Sequence, residues 1–97
     1  MSVGLSYRLR LQHPNTYLMF CPGCREVHAL TINEPQEFSK RLGFDGDLRN
    51  PSFDPAILVN GPRGLCYFDL RGGWLYFRGN CHHELAGKRV ELPAFPS

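Results

Sequence analysis

Two short segments gather most of the chemistry-bearing side chains of this 97-residue chain: Cys21-Pro22-Gly23-Cys24 and Cys81-His82-His83. Pro22 fixes its own φ and Gly23 tolerates a tight bend, so the two sulfurs of the first segment can face one point. That geometry suits a tetrahedral ion with thiolate ligands, zinc above all. A distal thiol and imidazole, spaced as Cys81-x-His83, can close the shell. The expected ligands are therefore Cys21, Cys24, Cys81 and His83. Cys66 is the leading substitute, for His83 in particular. His28, four residues past Cys24, is the other alternate; its competing readings are a group supporting a ligand and an ordinary strand histidine. Extended backbone points neighbours in opposite directions, so a ligating His83 turns His82 toward solvent. His13, ahead of Pro14, reads as a turn residue.

Two other readings compete for the cysteines. Buried thiols behave as small hydrophobes, which suits Cys66 within Leu65-Cys66-Tyr67-Phe68 but not the Cys-Pro-Gly-Cys turn. A disulfide pair belongs to an oxidising compartment, whereas clustered cysteines in the cytosol more often bind metal. The opening residues lack the charged-then-apolar order of a signal peptide, and no apolar run approaches the roughly 20 residues that span a bilayer. The chain is expected to be cytoplasmic.

The elements that must position these groups read as one mostly β domain over residues 1–97. A core of this size is modest, so a metal staple adds useful stability. The hydrophobic fraction of 42% and mean hydropathy of -0.31 are those of a globular chain. Strict alternation predicts a strand with one buried face over 3–11. A turn at 13–15 follows. Residues 17–20 run as a strand into Cys21, and 28–32 return, which puts the Cys-Pro-Gly-Cys turn at the tip of a zinc-knuckle hairpin. Residues 35–42 are the one short helix candidate, ended by Gly43. A loop is expected from Phe44 to Pro55, then a strand at 56–59. Residues 65–70 and 74–78 form a hairpin around Arg71-Gly72-Gly73. That turn pairs Leu70 with Trp74, Phe68 with Tyr76 and Cys66 with Arg78, bringing Cys66 toward the segment that leads into Cys81. A one-residue slip turns Cys66 to the other face. Residues 90–92 add a last strand.

Other motifs carry less. Asp45-Gly46-Asp47 lacks the third acidic position and distal Glu of an EF-hand, so it reads as a turn whose Asp side chains bond the backbone. Trp74, Tyr76 and Arg78 share one strand face, which is a stacking platform if exposed and core if buried. The net charge is only +2 and the basic residues are scattered, a weak nucleic-acid footprint. No Ser-His-Asp order, phosphate loop or dinucleotide fingerprint occurs.

Several motifs occur together in order: Phe20-Cys-Pro-Gly-Cys24 with His28, Gly43-Phe-Asp-Gly-Asp47, Asn50-Pro-Ser-Phe-Asp-Pro-Ala-Ile-Leu-Val59 and Cys81-His-His-Glu-Leu-Ala-Gly87. In this the chain resembles a family of small phage, prophage and bacterial proteins, over about residues 19 to 93. The family has no settled biochemical activity. Some of its members sit beside bacterial ubiquitin-like conjugation genes, which implies a partner rather than a reaction. Two positions depart from the family pattern. Its Cys-His pair is here Cys66-Tyr67, and its Asp before the Cys-x-His is here Asn80.

The expectation drawn from all this is a zinc-stabilised β domain that binds a protein. Its recognition surface is the 44–55 loop, with Phe44, Arg49 and Phe53 as contact residues. A zinc hydrolase or protease-like enzyme is the rival, with His28, His82 or Glu84 as general base. A zinc-ribbon-like nucleic-acid module is the third reading, and it requires Arg78, Lys88 and Arg89 to converge with exposed aromatics.

Overall fold

A computed structural model describes residues 7–33 and 41–95. They form two antiparallel sheets. The first is a meander of β1 (Arg10–His13), β2 (Thr16–Cys21) and β3 (Glu26–Thr31). The second runs in chain order through β4 (Gly43–Phe44), β5 (Phe53–Gly61), β6 (Gly64–Arg71), β7 (Trp74–Phe77) and β8 (Arg89–Glu91). No helix occurs among the described residues; the helix expected at 35–42 falls mostly outside them.

The inward faces follow from the period-two rule. In the first sheet Met19 and Cys21 of β2 share a face with His28 and Leu30 of β3, and the ladder sets Met19 opposite His28. In the second sheet Cys66, Phe68 and Leu70 of β6 alternate inward and meet Leu75 and Phe77 of β7. These faces build one core, in which the imidazole of His28 lies over the Phe68 ring at 6.3 Å, 16° from parallel. Each large apolar side chain fully buried here contributes about 1.5–3 kcal/mol.

Three expectations need correction. The first strand begins at Arg10 and its four residues are exposed; of the expected apolar stripe only Leu9, just ahead of it, is buried among the described residues. β1 is an edge strand with a register shift between Leu11 and His13, and such a bulge turns the strand away from the core. The β6–β7 loop holds two residues, not three, so the register moves by one. Arg71 faces Trp74, Leu70 faces Leu75 and Phe68 faces Phe77. Gly72 and Gly73 have φ of 56° and 84°, as a primed turn requires at both central positions, and that turn matches the twist of the strands. The shift leaves Trp74 and Tyr76 on the outer face and keeps Cys66 inward.

The third correction concerns Phe53. It is not a loop residue offered to a partner but the first residue of β5, 1% exposed and stacked on Phe44 at 4.6 Å. Phe44 is itself half-buried between Phe53 and Tyr17. The loop between these phenylalanines is held by its aspartates. Asp45 Oδ1 accepts from the backbone N–H of Asp47 and Ser52, and Asp47 Oδ1 accepts from Arg49 and Asn50. This is the Asp-capped turn expected from the sequence. Arg49 stands exposed on it, its guanidinium 5.7 Å from the Tyr7 ring centre.

Candidate metal centre

The turn between β2 and β3 presents two sulfurs to the core. The N–H of Arg25 donates to the Cys21 carbonyl at 2.7 Å, and Arg25 takes the left-handed conformation, φ 59°, to close the turn. The Cys24 N–H donates to Cys21 Sγ at 3.4 Å. A backbone donor to sulfur favours the thiolate that a metal needs. Arg63, from the β5–β6 turn, donates to the Cys24 carbonyl and lies 3.3 Å from Glu26, which fastens the two sheets beside the turn.

Strand alternation supplies the other donors. His28 and Cys66 point inward from β3 and β6 toward the same sulfurs. Ligand atoms of Cys21, Cys24, His28 and Cys66, all four buried, lie within 4.8 Å of one another. Two sulfurs bound tetrahedrally to one ion at about 2.3 Å stand about 3.8 Å apart. Cys21 Sγ and Cys66 Sγ are 3.9 Å apart. The Nε2 of His28 is buried without a hydrogen-bond partner, and a buried imidazole nitrogen left in that state is costly unless something else binds it.

The electrostatics without metal are those of thiols competing for one negative charge. The Cys66 thiol, donating to Cys21, holds the Cys21 sulfur down at about 4, with help from His28 and the Cys24 N–H against the cost of burial. Cys66 is pushed far up, by giving its proton to that bond and by burial. Burial and the neighbouring Cys21 anion push Cys24 up to about 11. A cation placed among them reverses this, because each sulfur is then stabilised as thiolate. Three sulfurs and an imidazole are the donor set of a four-coordinate zinc site, and the residues fit such an ion.

The 81–87 segment lies alongside. Its backbone is pinned to β6 by His82 N–H donating to the Leu65 carbonyl at 2.9 Å. Cys81 Sγ sits between the N–H and carbonyl of Tyr67, at 3.2 and 3.1 Å. His83 Nε2 is 3.5 Å from Cys66 Sγ, and its ring packs edge-on against Phe77. Burial pushes the His83 imidazole below its usual value. Both histidines turn to the cysteines: the expectation that His82 faces away fails, since its Nε2 lies 3.2 Å from Cys24 Sγ, although the residue remains exposed. The segment curls through a turn here rather than running as extended backbone. A Cβ at Gly23 would collide with the His83 ring, so the knuckle glycine is needed for this close approach, while the left-handed position of the turn falls to Arg25.

The six donors nominated by the sequence thus fall into two groups. Cys21 and Cys24 join the two alternates, His28 and Cys66. Cys81 and His83 form a second group, again with Cys66. Which face of a strand His28 and Cys66 occupy decides their membership, and that depended on a register the sequence did not determine.

Among the described residues no helix is long and apolar enough to cross a membrane. No protein family, curated protein or solved structure matches the chain.

Proposed function

We propose that this chain is a small zinc-binding β domain whose ion, held by Cys21, Cys24, His28 and Cys66, is structural, and that it acts by binding a protein. The observation that supports the metal is the convergence of four buried donors from two sheets. Four protein donors complete a tetrahedral shell and leave no position for a reacting water, which is the arrangement of structural zinc. An ion there ties the β2–β3 turn to β6 and adds what a core of this size lacks. Thiolate ligands that must stay reduced fit a cytoplasmic protein.

Recognition falls to the surface that remains. With Phe53 in the core, the contact residues we assign are Arg49 on the aspartate-held loop and Trp74 and Tyr76 on the outer face of the second sheet. The two aromatics are 37% and 38% exposed. Aromatics and arginine are the residues that dominate protein interfaces. Single-stranded nucleic acid is the second reading, favoured by Arg89 stacked 5.0 Å over Trp74 and by Arg78 4.7 Å over Tyr67. Against it, Asp69 accepts from Arg78 at 3.0 Å, Glu91 faces Trp74 across the ladder, and the net charge is only +2.

Affinity capture with wild type, Trp74→Ala and Arg49→Ala tests the proposal, with zinc measured in each sample. The expected result is one protein retained by wild type and weakened in either variant at unchanged zinc content. Retention abolished by nuclease supports the nucleic-acid reading. Turnover of a peptide or ester that stops on chelation while the fold survives overturns both in favour of a hydrolase.

A further inference from the structure

We infer that the chain holds a second divalent, thiophilic ion at Cys66, Cys81 and His83, with the Cys66 sulfur bridging the two ions. This rests on the zinc reading of the first group and extends it.

The juxtaposition comes first. Ligand atoms of Cys66, Cys81 and His83 lie within 4.8 Å of one another, and Cys66 is the one residue common to this triad and the buried group of four. For a tetrahedral ion bound to sulfur at about 2.3 Å and to nitrogen at about 2.0–2.1 Å, the two donors stand about 3.5 Å apart. Cys66 Sγ and His83 Nε2 are 3.5 Å apart. Cys66 therefore presents ligand-like separations on two sides, to Cys21 at 3.9 Å and to His83. A thiolate has three lone pairs and can bind two cations at once.

Charge supplies the second argument. One divalent ion with the thiolates of Cys21, Cys24 and Cys66 carries a net negative charge, in a place where those residues are 0%, 3% and 1% exposed. An uncompensated buried charge is expensive. Adding the Cys81 thiolate and a second divalent ion gives four negative and four positive charges, and the cluster is neutral.

The triad is also built to hold a ligand set. Cys81 Sγ is held against the Tyr67 backbone, accepting from its N–H at 3.2 Å and donating to its carbonyl at 3.1 Å, and the Arg78 N–H donating to the same carbonyl at 2.8 Å fixes the strand beneath it. His83 is wedged between Gly23 and Phe77. Without metal the Leu85 N–H donates to His83 Nδ1 at 3.2 Å, so the neutral ring carries its proton on Nε2, aimed at Cys66. An ion bound at Nε2 takes the place of that proton; the ring proton then sits on Nδ1, and the Leu85 N–H gives up its bond to that atom. Three protein donors leave the second ion one position for a donor from outside the triad.

The test uses the full, tag-free chain, loaded with zinc or cadmium and passed over a weak chelating resin. Ions per chain are then counted by native mass spectrometry, and the cadmium form is examined by NMR. Two ions are expected for wild type and one for Cys81→Ser. The cadmium spectrum should show two resonances coupled through Cys66, and His83 should carry its proton on Nδ1. One ion per chain in wild type overturns the second site and leaves the first standing. No bound ion overturns both. Should Cys81→Ser fail to fold, the wild-type count and the presence or absence of two coupled resonances decide.

Discussion

His28 concentrates the argument at the scale of single residues. It is 4% exposed, and its Nε2 has no protein partner. If it is a zinc ligand, His28→Phe keeps an aromatic ring over Phe68 yet loses the ion. If it is only a core residue, the same change removes an unsatisfied polar atom and stabilises the fold. The expected outcome is zinc loss and a lower melting temperature; unchanged zinc with a higher one contradicts the assignment. Gly23→Ala acts from the other side. The new methyl group meets the His83 ring, so the expected effect is displacement of the 81–87 segment, seen as shifted amide resonances of 81–87 and of Phe77, against which the His83 ring packs. Asp47 gives a pH prediction. The N–H groups of Asn50 and Arg49 hold its carboxyl below the ordinary aspartate value. A lowered folded value means that the ionised form favours the native loop above the unfolded value. That contribution fades as pH falls through the folded one. A carboxylate NMR titration should place Asp47 below a free aspartate, and coincidence with free aspartate contradicts the turn geometry.

Hairpin turns, at the scale of elements, set what faces what. The Cys-Pro-Gly-Cys hairpin was legible because Pro, Gly and two flanking apolar runs specify it locally, and β2 and β3 bracket it as expected. The β6–β7 register was not legible, because Arg71-Gly72-Gly73 reads equally as a two- or three-residue loop. One residue of difference decided which aromatics face solvent. Phe53 was misplaced for a related reason: Pro55 reads as loop, yet the ladder passes it with a register irregularity between Phe53 and Ile57. The turn offers a graded test. Both glycines have left-handed φ, so Ala at either costs about 1–2 kcal/mol. A Cβ at Gly72 meets nothing within 4 Å, whereas one at Gly73 lies 3.0 Å from the Arg8 guanidinium and 3.3 Å from Asn50 Cα. Gly73→Ala is therefore expected to lower the urea midpoint more than Gly72→Ala. Equal midpoints would contradict the close approach of Arg8, which also donates to the Gly73 carbonyl at 2.9 Å and pairs with Glu91.

At the scale of the molecule, the two sheets share one core and one cluster of donors, so packing and metal binding stabilise the same junction. Phe68 stacks with His28 and meets Phe77 edge-on, and truncating it to Ala should cost about 3–5 kcal/mol. Structural zinc contributes on the order of 10 kcal/mol in small domains, comparable to the whole stability of one this size. Chelation is therefore expected to do more damage than Phe68→Ala. Fold class and donor inventory could be read from residue types and alternation, whereas the grouping of donors is a property of two sheets facing each other. The most direct measurement is anomalous X-ray diffraction at the zinc edge from crystals of protein purified without added metal. A zinc peak bonded to Cys21, Cys24, His28 and Cys66 is the predicted result. Its absence, or a lone peak whose ligands omit His28 and Cys66, would contradict the account.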